Sequence, residues 1–385
     1  MTQLSRMVRL SSVVAVPTAG AMYWRRRDDH REVVAGHRLW QMVGMNRIQC
    51  QEPLVPSSLL MRFAHAPVDE ERFGEREVTA WGSMHAGVAW SLFLFAWGLT
   101  MLTPLVLMYW LASAKWSYLA GYSLFWLGVV LEWIKLPYMA GCREYLVENM
   151  TRWFGEVSVA FNEDVGSSER TLYCVHPHGI FSFGFFLLYM QLLKLGLRPV
   201  MLGAPYVQWF CPTLRLLFGI VGVEFASASK AEVNRVLTEG RNACLMIGGF
   251  EEATITELGQ ERLFLLNRKG FIKYALRHGY SVTPVYCFGE NDLYWNARMA
   301  MPFRLWLSSG VIQLPGVIPW GNSLLPWLPR SVSQYKVVVG SAIKLPHITK
   351  PTDDQVTQYH AAYVDELTDL FNHYRLNKTK HLQIA

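Results

Sequence analysis

Charged residues are scarce in this sequence. Asp, Glu, Lys and Arg make up 17% of its 385 residues, whereas hydrophobic residues make up 51%. This balance excludes an ordinary soluble enzyme, whose charged fraction is higher. The fifteen tryptophans point the same way, because indole rings favour the boundary between lipid and water, and the net charge of +6 suits an anionic surface or substrate. We therefore expect a protein that works at a membrane.

Cysteine pairs are absent too. The six cysteines lie far apart, and no Cys-x-x-Cys pair occurs among them, which excludes a compact disulfide framework and a zinc site built on cysteine. A catalytic part in the reducing cytosol is the simpler interpretation. Repeats and low-complexity stretches are also absent, so the length predicts one large domain or two smaller ones.

Acidic residues are missing from the first 27 residues, which contain five arginines. This composition fits a targeting segment. It fits a basic cytosolic tail equally well, because a proline interrupts the apolar part and no clear cleavage site follows. We assign residues 1–83 to an N-terminal cytosolic or targeting segment.

Two uncharged segments follow, residues 86–112 and 116–131, with Lys115 between them. As helices they would reach roughly 40 Å and about 24 Å, against about 30 Å for a hydrocarbon core. Because their connection is short, both flanks must lie on one side, and the excess of Lys and Arg there places them in the cytosol. We predict an N-terminal transmembrane helical hairpin over residues 84–141. The alternative is a buried hairpin in a soluble core.

Residues 142–385 show short apolar runs that alternate with amphipathic ones, which predicts a cytosolic α/β domain. The predicted strands cover residues 171–175, 243–247, 281–286 and 335–340, and the predicted helices cover residues 185–195, 229–240, 267–278 and 352–374. The apolar run 303–328, rich in Trp and Pro, is suited to rest on a bilayer and admit a lipid, although surface loops over a larger core fit it as well.

Two histidines flank a proline in the stretch His-Pro-His-Gly at 176–179. Pro177 favours an extended backbone at His176, so we expect the rings of His176 and His178 to face one site. Gly179 would let a substrate approach the backbone. A metal site would need ligands that no nearby pair offers, and we predict none, so a general base with a helper is the better functional interpretation. A hydrogen-bonded core histidine is the alternative.

An acid follows two glycines in the stretch Gly-Gly-Phe-Glu-Glu at 248–252. Gly248 and Gly249 allow close packing at a strand end, and Glu252 is placed to hold an imidazole in its useful tautomer. A glycine turn with two solvated glutamates fits this motif equally well.

A basic stripe marks the helix predicted at 267–278. Lys269, Lys273 and Arg277 recur every four residues and share one helical face, and Arg268 stands beside them. Such a stripe is usually only a solvated face. If the substrate carries phosphates, these cations would bind its anionic end.

Four motifs in order resemble those of the type-2 diacylglycerol acyltransferase family, which includes monoacylglycerol acyltransferases and animal wax synthases. They are His-Pro-His-Gly (176–179), Gly-Gly-Phe-Glu-Glu (248–252), Arg-Lys-Gly-Phe (268–271) and Pro-Val-Tyr-Cys-Phe-Gly-Glu-Asn (284–291), and they stand behind the predicted hairpin. Four ordered motifs are more specific than any one of them. The resemblance extends over roughly residues 84–374.

The resemblance implies a glycerolipid-acyltransferase-like mixed sheet flanked by helices, and an enzyme that moves a fatty acyl group from acyl-CoA to diacylglycerol, giving triacylglycerol. Acyl-CoA would be a co-substrate, with no further cofactor, and the partners would be a neutral lipid acceptor and the membrane, with no nucleic acid. The expected location is the endoplasmic reticulum membrane, with lipid droplets as a second one and a homo-oligomer as one expected assembly.

The resemblance also implies roles for three residues: His178 would be the general base, His176 would assist it, and Glu252 would match the acid of the family. Related glycerophospholipid acyltransferases place an aspartate after the histidine where this chain has Phe181 and Phe183. We therefore expect Glu252 to orient the imidazole. Two alternatives stay open: the same chemistry on monoacylglycerol or a fatty alcohol, and a non-catalytic hairpin protein that binds lipid as a scaffold.

Overall fold

The computed structural model describes residues 69–73, 80–162, 169–309 and 313–385. The predicted N-terminal segment 1–83 lies outside the described residues except for 69–73 and 80–83. The helices are α1 (Ala80–Ala112), α2 (Trp116–Val130), α3 (Ala140–Thr151), α4 (Phe183–Lys194), α5 (Pro205–Phe210), α6 (Pro212–Val221), α7 (Lys230–Thr238), α8 (Gly249–Ile255), α9 (Gly270–His278), α10 (Met301–Ser309) and α11 (Asp353–Tyr374). A 3-10 turn covers Glu290–Asp292.

The strands are β1 (Asp69–Phe73), β2 (Glu156–Phe161), β3 (Thr171–His176), β4 (Val200–Gly203), β5 (Phe225–Ser227), β6 (Ala243–Met246), β7 (Glu261–Leu263), β8 (Ser281–Phe288), β9 (Trp295–Asn296), β10 (Pro319–Trp320), β11 (Gln334–Val339), β12 (Ile343–Lys344) and β13 (Leu382–Ile384). Each strand and helix predicted for the catalytic part has a counterpart here, in β3, β6, β8 and β11 and in α4, α7, α9 and α11. Apolar periodicity was therefore a sound guide to these buried elements.

Within the described ranges, the main sheet has nine strands in the order β1-β2-β11-β8-β3-β6-β4-β5, with β12 beside β8. The strands from β8 to β5 run parallel to one another, and β2 runs parallel to β11. The pairs β1 with β2 and β8 with β11 are antiparallel. The sheet is mixed, which confirms the predicted mixed α/β fold.

Helices cover both faces of this sheet, so the described residues form two hydrophobic cores. The first core is built with α1, α3, α4 and α6, and the second with α7, α9 and α11. Because side chains alternate along a strand, β3 contributes to both: Tyr173 and Val175 lie in the first core, Leu172 and Cys174 in the second.

Helices α1 and α2 form the predicted hairpin, and Trp110 stacks on Tyr118 with 5.7 Å between their rings. Among the described residues, no helix is both long and apolar enough to cross a membrane, so the predicted transmembrane character of the hairpin is not confirmed. In the first half of α1, one side of the helix is buried in the protein and the other side is exposed. Trp90 and Phe93 lie in the first core, whereas Leu92 and Phe95 are exposed.

Candidate active site

Three of the four sequence motifs meet at one edge of the sheet. The stretch 176–179 ends β3, the stretch 248–252 follows β6, and the stretch 284–291 forms the end of β8 and the turn after it. These strands are neighbours and parallel, so their carboxyl ends lie side by side. Loops at this edge are the usual place for a site in α/β proteins.

His178 lies in the loop between β3 and α4 and is 8% exposed. Its Nδ1 is 3.0 Å from the carbonyl oxygen of Gly179 and 3.2 Å from Oγ of Ser182, whose hydroxyl donates to the His178 carbonyl at 3.0 Å. A carbonyl can only accept, so Nδ1 carries the proton and Nε2 keeps its lone pair. Burial lowers the pKa of His178 to about 4, so the imidazole is neutral at physiological pH and suited to accept a proton.

Glu252 holds the backbone of this loop. One oxygen of its carboxylate accepts the main-chain N–H of His178 at 2.6 Å, and the other accepts that of Phe264 at 2.7 Å. The structure therefore differs from the expectation that Glu252 orients the imidazole ring. The reason is geometric: Glu252 lies in the first turn of α8, which reaches the backbone at His178, while the ring is turned towards Gly179 and Ser182.

His176 does not share a site with His178, which corrects the prediction that both rings face one place. As the last residue of β3, His176 follows the strand alternation into the second core, where its Nε2 lies 2.9 Å from the Tyr363 hydroxyl. The ring of His178 lies beyond the strand, beside Phe250 of the first core. Burial lowers the pKa of His176 to about 3. Among the described contacts none joins the two imidazoles.

The predicted substrate-binding glycines have another use in the structure. Gly179 has a φ of +60°, and a Cβ there would overlap the side chain of Glu290. A Cβ at Gly248 would overlap the carboxylate of Glu252, and Gly249 has a φ of +61°. Gly179 and Gly248 need glycine because the buried carboxylates of Glu290 and Glu252 occupy the space where a Cβ would lie, and Gly249 needs it for its positive φ. Binding of substrate by these three glycines stays a prediction.

The basic stripe is directed mainly towards α11. Nζ of Lys269 donates to the Thr357 hydroxyl at 3.0 Å, and Lys273 lies 3.7 Å from the Asp353 carboxylate. Arg268 is nearer the site, because it pairs with Glu251 at 2.5 Å. The guanidinium of Arg277 lies 5.9 Å from the Tyr274 ring. Binding of an anionic substrate by these four cations stays a prediction.

Ser182 and Glu290 are the site residues that the sequence reasoning missed. Ser182 was detectable, since it is the polar residue four positions after His178 inside an otherwise apolar stretch. Glu290 stood within a recognised motif but without a role. Within the described ranges, no three His, Cys, Asp or Glu side chains lie close enough together to hold a metal ion.

The buried carboxyl of Glu252 is expected to make stability depend on pH. Glu252 is 1% exposed, and burial raises its pKa from 4.5 to about 7 although two N–H groups oppose the rise. A folded-state pKa above the unfolded value favours the folded state at low pH, and this contribution is lost as pH rises through 7. Between pH 4.5 and 8, wild type should lose about 3 kcal/mol of unfolding free energy more than Glu252→Gln.

Urea titrations of both proteins across this pH range measure that difference. Glu224→Gln is the control, because Glu224 is an exposed carboxylate paired with Arg241 and its pKa is lowered, so this substitution should not flatten the loss of stability at rising pH. Parallel stability curves for wild type and Glu252→Gln would contradict the prediction.

A family model described as diacylglycerol acyltransferase matches residues 108–384. Diacylglycerol O-acyltransferase 2 of Dictyostelium discoideum is 30% identical over 61% of this chain and 76% of that protein. The Homo sapiens 2-acylglycerol O-acyltransferase 3 is 30% identical over 74% of this chain and 86% of its own length, and the Homo sapiens acyl-CoA wax alcohol acyltransferase 2 is 28% identical over 66% and 85%. A solved 1-acyl-sn-glycerophosphate acyltransferase from Thermotoga maritima superposes with a TM-score of 0.36 at 12% identity, covering 72% of this chain and 100% of that one.

Proposed function

This chain belongs to the diacylglycerol acyltransferase family and is therefore an acyltransferase, and we propose that it transfers the acyl group of acyl-CoA to diacylglycerol, giving triacylglycerol. The observation that carries the proposal is the state of His178. Its ring is neutral, its Nδ1–H is held by the Gly179 carbonyl, and its Nε2 lone pair is left to accept a proton. This is the state required of a general base.

In the proposed reaction, Nε2 of His178 takes the proton of the acceptor hydroxyl as that oxygen attacks the thioester carbonyl. The C–S bond then breaks, the ester is released, and the CoA thiolate takes the proton back from the imidazolium. The Gly179 carbonyl stabilises the charged ring during this step because it accepts from Nδ1–H. Glu252 contributes by fixing the backbone N–H of His178, and with it the position of the ring.

The acceptor is the open part of the proposal. The relatives named above are described as acting on diacylglycerol, on 2-acylglycerol and on wax alcohols. Monoacylglycerol and fatty alcohols are therefore the second candidates, since each presents a hydroxyl to the same base. We favour diacylglycerol because the family model that covers most of the chain carries its name.

We place the enzyme at the endoplasmic reticulum membrane, with the catalytic part in the cytosol and lipid droplets as a second location. Exposed apolar side chains support this placement. They lie on α1 at Leu92 and Phe95, and on the segment 303–328 at Trp306, Trp320 and Trp327. The latter segment is linked to the site, because Phe181 contacts Tyr294 at 5.0 Å and the Tyr294 hydroxyl donates to the Trp327 carbonyl. A lipid acceptor would enter along this path.

Purified protein supplied with labelled acyl-CoA tests the proposal. We expect CoA release only when an acceptor is present, and faster product formation with diacylglycerol than with monoacylglycerol or a fatty alcohol. The His178→Ala variant is the control for background hydrolysis of acyl-CoA. Absence of CoA release with every acceptor would favour the non-catalytic scaffold, whereas a clear preference for another alcohol would change only the acceptor.

A further inference from the structure

Glu290 is a buried carboxylate for which the proposed reaction has no task. It stands in the 3-10 turn after β8 and is 3% exposed. Its oxygens accept the main-chain N–H of Phe183 at 3.2 Å and that of Gly184 at 2.8 Å, and they also accept the Tyr335 hydroxyl. A carboxylate with three buried donors is a costly arrangement to maintain, so its partners indicate what it does.

Two of those donors belong to the start of α4. The first N–H groups of a helix have no partner within the helix, and they favour a negative charge. The residue before α4, Ser182, does not cap it: its φ and ψ are 58° and 46°, and its side chain makes no capping hydrogen bond. The Ser182 hydroxyl is instead used at His178. Glu290 therefore replaces the missing cap from another part of the chain.

The same carboxylate also touches the other side of the His178 loop. A Cβ at Gly179 would overlap the Glu290 side chain. Glu290 thus lies against both ends of the short segment 179–184, and this segment contains the carbonyl and the hydroxyl that contact Nδ1 of His178. Displacement of either end would move these two groups relative to the imidazole.

We propose that Glu290, together with Tyr335, is a positioning residue for acyl transfer: it anchors the start of α4 and thereby fixes the groups that hold the imidazole of His178. The inference rests on the proposed role of His178 as the base. Glu290 does not touch the reacting atoms in this scheme. Its effect passes through Ser182 and the backbone at Gly179.

The ionisation of Glu290 provides a specific readout. The titratable groups that face it are Tyr335 on β11, Cys287 on β8 and Tyr294 after the 3-10 turn, and burial raises the pKa of each of them well above its usual value. They are therefore neutral near pH 7. Burial also raises the pKa of Glu290, to about 7, while the hydrogen bonds from Tyr335 and the α4 backbone oppose the rise. The ionised form is the stronger acceptor for all three donors, because protonation uses one lone pair and turns one oxygen into a donor.

Tyr335→Phe removes one donor and keeps the ring. Because the Tyr335 hydroxyl favours the carboxylate form, its loss should raise the pKa of Glu290 and move the acid limb of kcat upward by about one pH unit, with activity recovered at alkaline pH. Tyr286→Phe is the matched control: Tyr286 is equally buried, and its hydroxyl donates to another buried carboxylate, Glu261, at 3.0 Å. The control should leave the acid limb of kcat where it is in wild type.

Glu290→Gln tests the anchor directly. The amide can accept at only one of its two terminal atoms, so we expect kcat to fall roughly 10²-fold with little change in KM for acyl-CoA. Hydrogen exchange of residues 179–186, followed by mass spectrometry, should accelerate in Glu290→Gln and Tyr335→Phe but not in Tyr286→Phe. This second measurement does not depend on activity.

Two results would overturn the inference. One is an acid limb of kcat that does not shift in Tyr335→Phe. The other is hydrogen exchange of residues 179–186 that is as slow in Glu290→Gln as in Tyr286→Phe. A loss of activity in Tyr335→Phe that is equal at every pH would also overturn it, because general damage to the fold has that signature. Failure of the proposed function is visible elsewhere, in wild type that releases no CoA with any acceptor. Hydrogen exchange would still decide in that case whether Glu290 holds the loop.

Discussion

Replacement of His178 by alanine is expected to reduce acyl transfer by ~10² to 10⁴ while substrate binding changes little. The reason is the state of the ring. It is neutral, it is held through Nδ1, and its Nε2 has no hydrogen-bond partner among the described residues. Initial rates with labelled acyl-CoA and diacylglycerol measure the effect.

His178→Asn separates this chemical role from a structural one. The asparagine amide can donate to the Gly179 carbonyl as Nδ1 does, but it offers no basic nitrogen. We expect stability close to that of wild type and activity as low as that of His178→Ala. His176→Gln is the companion variant. His176 lies in the second core at 0% exposure, so this substitution should lower stability more than it lowers kcat. A rate for His178→Asn within a few-fold of wild type would exclude His178 as the base.

Gly179→Ala is expected to lower both the stability and the activity of the protein. Its φ of +60° costs an alanine about 1 to 2 kcal/mol. In addition, the new methyl group would overlap the Glu290 side chain, and relief of such overpacking typically costs about 1 to 3 kcal/mol. Because the Gly179 carbonyl also holds Nδ1 of His178, we expect activity to fall about 10²-fold.

Gly196→Ala is the matched control for Gly179→Ala. Gly196 follows α4, has a φ of +82°, and would bring its Cβ within 4 Å of nothing. Gly196→Ala therefore measures only what a positive φ costs an alanine. Denaturation curves give the free energy of unfolding of both variants, and the difference between their losses is the cost of the contact with Glu290. Equal stability losses in the two variants, together with normal activity in Gly179→Ala, would show that the contact between Gly179 and Glu290 has no consequence.

The sheet was predictable where burial controls the pattern. Strands β3 and β8 are buried along almost their whole length and consist mostly of apolar residues, as does β6. Helix α11 begins with a capping box that its sequence already shows, in which Thr352 and Gln355 bond reciprocally. Strand β1 has the sequence DEERF and no apolar alternation. It is a strand only because it pairs with β2 at the sheet edge, so a local pattern could not reveal it.

The sequence predicted which residues form the site better than it predicted their contacts. The sequence predicted that His178 and Glu252 each follow a strand, and the structure makes those strands neighbours and brings the two residues together. It could not show that the carboxylate would bind the backbone instead of the ring, since that depends on how two loops turn. The expectation for His176 was wrong for a related reason: the extended geometry ends with β3, so spacing by two no longer sets the direction of His178.

Helix α1 and the start of α4, which follows the loop that carries His178, share one aromatic cluster. Trp90 is 0% exposed, donates to the Met150 carbonyl at 3.1 Å, and lies 4.9 Å from the ring of Phe183, the first residue of α4. The Phe183 ring also contacts Tyr335 at 5.2 Å. The residues that hold the start of α4 thus lie in the same core as α1. Removal of the hairpin would therefore take Trp90 away from this cluster and leave the Phe183 ring, at the start of α4, without one of its packing partners.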